Sequence, residues 1–172
     1  PYGIDFVTYS LEEPPFFGTP HMGSFAHAQS LKRNNVPVYG MICLESIGYF
    51  TDAENSQRYP SALLQACYPS TGNFLAVVSD MGSISLAKQV AEQLAATEAD
   101  VQTLHAPSSL AMIDFSDHRN YWMFGYDAIM ITDTALLRNP NYHRGTDTPG
   151  TLSYDKMGEV VRGTCWAILN LE

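Results

Sequence analysis

Acidic residues stand at the ends of apolar runs in this chain, and one histidine follows such a run. Ile4 to Leu11 is apolar and β-rich and ends in Glu12-Glu13, followed by Pro14-Pro15. Glu45 interrupts Met41 to Ile47, between Leu44 and Ser46. Asp127 to Thr132 leads through Asp133-Thr134 into Asn139-Pro140-Asn141-Tyr142-His143. A carboxylate taken out of water needs a metal, a base or hydrogen-bond donors as partner. Carboxylates with an imidazole form a donor set that suits Zn²⁺ and can leave a position open for water. A neighbouring carboxylate that is not a ligand can take the proton of that water and pass it to a leaving amine. The adjacent Glu12 and Glu13 could divide those tasks. The plain alternatives are a solvated loop for Glu12-Glu13 and an exposed strand end for Glu45.

Among the five histidines, His143 is the best ligand candidate. It follows a strand and precedes Asp147, which could accept from its second ring nitrogen and fix the tautomer. His118, in Ser116-Asp117-His118, is the second. His21, His27 and His105 lack such company and read as surface or structural residues. No GxSxG elbow, GxGxxG, P-loop or HExxH helix is present. Met22-Gly23-Ser24 and Met81-Gly82-Ser83 each read as the start of a helix.

Elements that would position these residues alternate along the chain. Expected strands are Ile4 to Leu11, Tyr39 to Ile47, Phe74 to Ser79, Val101 to Leu104 and Asp127 to Thr132. Gly23 to Asn34 reads as a helix with Phe25, Ala28 and Leu31 on one face. Ile84 to Ala96 carries Ala87, Val90, Ala91 and Leu94 at helical spacing. Tyr154 to Leu169 is a helix capped by Ser153, with Met157, Val160, Val161, Cys165 and Ile168 as its expected inward stripe. Strands that are apolar on both faces and alternate with helices indicate an α/β sandwich with a largely parallel or mixed sheet. Ligand sites in such sheets gather at strand ends.

The 172 residues are the size of one domain, so 1–172 is expected to form a single one. Hydrophobic residues make up 45% of the chain, enough for a core, and the formal net charge is −9. An acidic surface argues against non-specific binding to nucleic acid or to anionic membrane. No apolar run approaches the roughly 20 residues that span a bilayer. Cys43, Cys67 and Cys165 form no CxxC pair and read as buried free thiols.

Four pieces occur in order: Leu11-Glu12-Glu13-Pro14-Pro15-Phe16-Phe17; Leu44-Glu45-Ser46-Ile47-Gly48-Tyr49-Phe50; Ser116-Asp117-His118 with Trp122; and Ile131-Thr132-Asp133-Thr134 through Asn139-Pro140-Asn141-Tyr142-His143 to Asp147-Thr148-Pro149. Together they resemble the clan MH zinc exopeptidases, which include bacterial leucyl aminopeptidases, glutaminyl cyclases and glutamate carboxypeptidase. The resemblance runs from about Phe6 to the last helix and implies a three-layer α/β/α sandwich with a mixed, mostly parallel sheet. By position, Glu12 resembles the general base, Glu13 and His143 ligands of one zinc, and Glu45 a ligand of a second. Asp117 and His118 resemble residues lining the site, Asp147 a supporting residue, and Tyr142 a pocket residue. The implied reaction is hydrolysis of the N-terminal bond of a peptide by metal-activated water. Cyclisation of N-terminal glutamine, or a non-catalytic binding or assembly module on the same fold, stand as the alternatives. Relatives of this kind are often exported, so the lean is to a secreted or periplasmic protein.

The sequence departs from that pattern in places. Many relatives have Asp at Glu45, and Arg144-Gly145 replaces small polar residues after the ligand histidine. A His-x-Asp ligand motif and a bridging Asp precede the Glu-Glu pair in the family, and eleven residues precede Glu12 here. This expectation makes the chain the C-terminal portion of a catalytic domain. It has two zincs in a complete site, weak zinc binding and little activity on its own, and an uncovered sheet edge that could support a homo-oligomer.

Overall fold

Four of the five expected strands pair into one sheet in the computed structural model, which describes residues 3–97 and 99–171. The elements run α1 (Gly23–Arg33), β1 (Met41–Glu45), α2 (Ala62–Cys67), β2 (Leu75–Ser79), α3 (Ile84–Ala95), β3 (Val101–His105), α4 (His118–Met123), β4 (Ala128–Thr132) and α5 (Tyr154–Leu169). The strand order is β1-β4-β2-β3. β1 pairs β4 and β2 pairs β3 in parallel, while β2 and β4 are antiparallel. The register sets Glu45 beside Thr132, and Thr132 beside Ala76. The C-terminal ends of β1 and β4 therefore share one rim with the start of β2, and Glu45 stands on that rim.

The central strands explain the continuous apolar runs. Every residue of β2 and β4 is buried, because each of these strands is covered on both faces and paired on both edges. Leu75, Val77, Ile129 and Ile131 face α3 and α5, against Leu86, Val90, Leu94, Val160 and Ala167. Phe74, Ala76, Val78, Met130 and Cys43 face the other way, toward Ile113 and Trp122. There α1 and α4 complete the third layer, with Ala28, Tyr121 and Ala128 in contact. The expected mixed-sheet α/β sandwich is the fold. α3 buries Ala87, Val90, Ala91 and Leu94, as its spacing predicts.

Three expectations about elements and thiols are corrected. The run Ile4 to Leu11 forms no strand. Phe6 is 87% exposed, and Ile4, Val7 and Leu11 are exposed as well. β-propensity produces a strand only where a neighbouring backbone accepts the ladder, and no described strand lies alongside this run. The inward stripe of α5 is rotated. Val160, Gly163, Thr164 and Ala167 are the buried residues, while Val161 is 48% exposed and Cys165 lies outside. The cause is Gly163: a Cβ there would meet Leu94 Cδ2 at 2.8 Å and Thr97 Oγ1 at 3.0 Å, so α3 packs against the bare glycine and fixes which arc faces inward. Of the three thiols only Cys43 is buried; Cys67 and Cys165 are exposed.

His118, expected to line the site, is instead a core residue with no exposed surface. Its Nε2–H donates to the Ile113 carbonyl at 2.7 Å, and its ring meets Trp122 edge-on at 4.6 Å. Burial pushes the imidazole down to about 4, so the folded state holds it neutral.

Two outcomes follow from this packing. Urea unfolding of Val160→Ala is expected to show a loss of about 2 kcal/mol, whereas Val161→Ala stays within about 0.5 kcal/mol of the parent; the reverse order would restore the stripe read from sequence. An unfolded imidazole titrates near 6.5, above its folded value, so the stability that neutral His118 contributes is complete above that pH and falls away as the pH drops toward 4. The stability difference between the parent and His118→Phe should therefore shrink by about 3 kcal/mol between pH 7 and pH 4. A difference independent of pH would mean the imidazole is not held neutral.

Candidate active site

Where the rim formed by β1, β4 and β2 opens, the chain brings together residues from four separate segments. Glu12, Glu13, Glu45, Tyr142 and His143 all line one cavity of about 380 Å³. Glu13, Glu45, Tyr142 and His143 also line an adjoining cavity of about 340 Å³, together with Asp133 and Asp147. His143 Nε2 lies 3.2 Å from Glu13 Oε1 across a sequence separation of 130 residues, and both side chains are more than half exposed. Tyr142 stacks on the His143 ring at 4.0 Å and 13°.

Each of these groups is positioned by short-range chemistry. Glu45 ends β1, where its Oε1 accepts from Ser46 Oγ at 2.8 Å and its Oε2 from Ser116 Oγ at 2.9 Å. Ser46 then turns sharply with φ +50°. Asp133, just past β4, holds that turn: its Oδ2 accepts from Gly48 N (2.9 Å) and Tyr49 N (2.7 Å), its Oδ1 from Ala135 N (2.8 Å), and its own N–H donates to Ser46 O. Burial pushes the Asp133 carboxyl up to about 6 against the pull of those three donors. Leu11, Ser46, Thr134, Ala135 and His143 all adopt positive φ, which side chains with a Cβ avoid. Such backbone strain gathers where a fold commits side chains to a site.

The electrostatics are those of crowded carboxylates. Glu12 is half-buried, and its carboxyl is raised to about 7, first by burial and then by Glu45, Glu13 and Asp117. Tyr142 is pushed up to about 12, by burial and then by Glu13, Glu45 and Glu12. Asp117 is also raised, chiefly by burial, with Ser24 pulling it down and Glu45 pushing it up. The larger cavity extends away from these acids over the sheet face formed by Phe74, Ala76, Val78 and Met130. Tyr59, Leu64, Tyr68, Leu104 and Ile113 wall it, so it offers an apolar slot beside a polar rim.

The placements differ from expectation in detail. Glu12 and Glu13 hang on a loop rather than on a strand end. Asp117 and His118 line neither cavity: Asp117 lies close enough to Glu12 and Glu45 to perturb Glu12, whereas His118 is core. Asp147 lines the smaller cavity, yet the contact it makes is with Asn139 Nδ2 at 3.5 Å, and no bond to His143 exists among the described residues. Ser116 and Asp133 act here without having been singled out for it. Asp133 was visible as a polar residue after a strand, but nothing in the sequence marks Ser116 as the donor to Glu45.

Among the described residues no three His, Cys, Asp or Glu side chains are arranged to hold one cation together. Glu13 and His143 already face each other, and their donor types, carboxylate oxygen and imidazole nitrogen, are ones that zinc accepts. The pair thus fits as two ligands of an ion. Glu45 presents a third carboxylate to the same cavity but is engaged by two serine hydroxyls.

No helix among the described residues is long and apolar enough to cross a membrane. No family model matches the chain. It is 45% identical over 169 residues to the uncharacterized protein YfbL of Escherichia coli (strain K12), which covers 98% of this chain and 51% of that protein. The chain thus spans about half the length of the curated relative it matches. Among solved structures it is similar to the Legionella pneumophila LapA aminopeptidase, with a TM-score of 0.61 and 18% identity over 85% of this chain and 35% of that one. It is also similar to the aminopeptidase from Aneurinibacillus sp. strain AM-1, with a TM-score of 0.58 and 19% identity over 85% of this chain and 29% of that one. At these identities the likeness establishes the fold, and that fold is aminopeptidase-like.

Proposed function

We propose that this chain carries the base-bearing wall of a zinc-dependent aminopeptidase site, which hydrolyses the N-terminal bond of peptides whose first residue is bulky and apolar. The observation that carries the reading is the convergence of Glu12, Glu13, Glu45, Tyr142 and His143 on the mouth of one apolar cavity, with Glu13 and His143 in contact at 3.2 Å. Glu13 and His143 would hold one zinc ion and Glu45 a second. When bound, zinc supplies a Lewis acid that makes a water acidic and polarises the scissile carbonyl.

The chain's own residues account for the rest. A carboxylate that titrates near neutrality exists in both forms at working pH, so Glu12 can take a proton from the attacking water and return it to the departing amine. Tyr142 keeps its proton, because burial and the surrounding acids disfavour phenolate. Its hydroxyl is therefore a donor for an oxygen that gains negative charge. The acidic rim favours a protonated α-amino group at the substrate's N-terminus. Beyond the rim, Phe74, Met130, Tyr59 and Tyr68 exclude water from the side chain of the first residue.

Turnover of aminoacyl 4-nitroanilides by the 172-residue chain, with zinc titrated in and then removed by a chelator, tests this. Slow, zinc-dependent release is expected, faster from leucyl or phenylalanyl than from alanyl or lysyl substrates, and Glu12→Gln should lower kcat by about 10²-fold or more. Release that ignores the chelator or survives Glu12→Gln intact would overturn the assignment. Cyclisation of a glutaminyl peptide without anilide hydrolysis would replace it with the acyl-transfer alternative.

A further inference from the structure

Glu12 and Glu13 raise a question that their loop makes acute: what fixes two carboxylates whose preceding segment belongs to no sheet? On the C-terminal side, Pro14 and Pro15 restrict the backbone, and the Glu13 carbonyl accepts from Phe16 N (3.0 Å) and Phe17 N (3.2 Å). On the N-terminal side, residues 3 to 8 are exposed and belong to no helix or strand. Among the described residues, the first hydrogen bonds to the body of the protein come at Tyr9 and Ser10.

Ser10 O accepts from Gly23 N at 2.9 Å, at the start of α1. A Cβ on Gly23 would stand 2.9 Å from Ser10 N, so this close approach needs glycine. Tyr9 reaches deeper. Its hydroxyl lies 2.6 Å from the Tyr121 hydroxyl and 3.1 Å from His27 Nδ1, and the Tyr121 hydroxyl lies 2.7 Å from the same nitrogen. Three polar atoms from the loop, α1 and α4 thus meet in one triangle. With Nδ1 as acceptor, Tyr121 donates to His27 and Tyr9 donates to Tyr121, so both hydroxyl protons are used. Tyr121 is 3% exposed and packs on Ala28 and Ala128, which makes the triangle an anchor in the core.

We infer that the Tyr9–Tyr121–His27 triangle is the positioning device for Glu12 and Glu13: Tyr9, Tyr121 and His27 are positioning residues that act through the backbone of residues 9 to 13. The inference rests on the hydrolytic role proposed for Glu12. A carboxylate that must meet a water and an amine within hydrogen-bond reach tolerates little drift, and misplacement of about 1 Å can cost a large factor in rate. The triangle lies three residues from Glu12 and supplies the fixed point that a strand ladder would otherwise give. It also assigns a task to His27.

Tyr9→Phe keeps the ring and deletes the hydroxyl. Hydrogen exchange on the 172-residue chain should show the amides of Phe16, Phe17 and Gly23, which donate to Glu13 O and Ser10 O, exchanging about tenfold faster, with β2 and β4 amides and the melting temperature unchanged. Zinc-dependent anilide turnover should lose about tenfold in kcat at constant KM. His27→Phe should show the same two losses, whereas His27→Gln, which still offers an acceptor, should keep both readouts close to those of the parent. Unchanged exchange at Phe16, Phe17 and Gly23 in Tyr9→Phe would overturn the inference, as would a loss spread evenly over the core, which marks a merely structural role. If the parent turns over no substrate, the hydrolytic reading fails by itself, and the exchange data still decide whether the triangle holds this loop.

Discussion

The buried carboxylate of Asp133 is the constraint on which the rest of this site depends. It sits just past the central strand β4, accepts three backbone N–H groups from two different loops, and sends its own N–H to Ser46. Because β1 and β4 run in parallel and in register, their ends reach the same rim, and Asp133 locks the chain leaving β1 to the chain leaving β4. One of those chains has just delivered Glu45, and the other goes on to Tyr142 and His143. A carboxylate with three donors is a rigid junction, since loss of any donor leaves a buried charge short of partners. The positive φ values at Ser46, Thr134 and Ala135 are held by that junction.

Around it the molecule divides its labour between sheet faces. One face is closed by α3 and α5 in tight contact, with a glycine at the crossing. The other is covered by α1, α4 and long loops, and it leaves an apolar slot that opens toward the acids. The buried Arg138 stiffens this side. It donates Nε–H to Gln57 and Nη1–H to Phe74 O, and its guanidinium lies 4.5 Å over the Phe74 ring. The floor of the slot is thus fixed from behind by a buried side chain.

The sequence reveals the central strands and α3 because burial on both faces and 3.6-residue spacing leave direct traces in residue type. It also reveals the acids and His143, since a carboxylate at the end of an apolar run conflicts with its surroundings. It does not reveal pairing. Ile4 to Leu11 has the composition of a strand and stays single, because composition records a preference and a ladder needs a neighbour. The facing arc of α5 is equally hidden, since Val160 and Val161 are chemically alike and only Gly163 against Leu94 decides between them. His118 looks like a ligand in Ser116-Asp117-His118, yet its carbonyl partner Ile113 lies in an irregular loop that periodicity does not describe. The hydroxyl contacts of Ser116 and of Tyr9 depend on distances between remote segments, which residue types cannot encode singly.

What unites these observations is the contact between Glu13 and His143, with Glu12 and Glu45 on the same cavity wall. Anomalous scattering at the zinc absorption edge, from crystals of the 172-residue chain grown with zinc, examines that place without any assumption about turnover. A peak bonded to a Glu13 carboxylate oxygen and to His143 Nε2 is expected. Zinc elsewhere on the surface with nothing between those two side chains would contradict it.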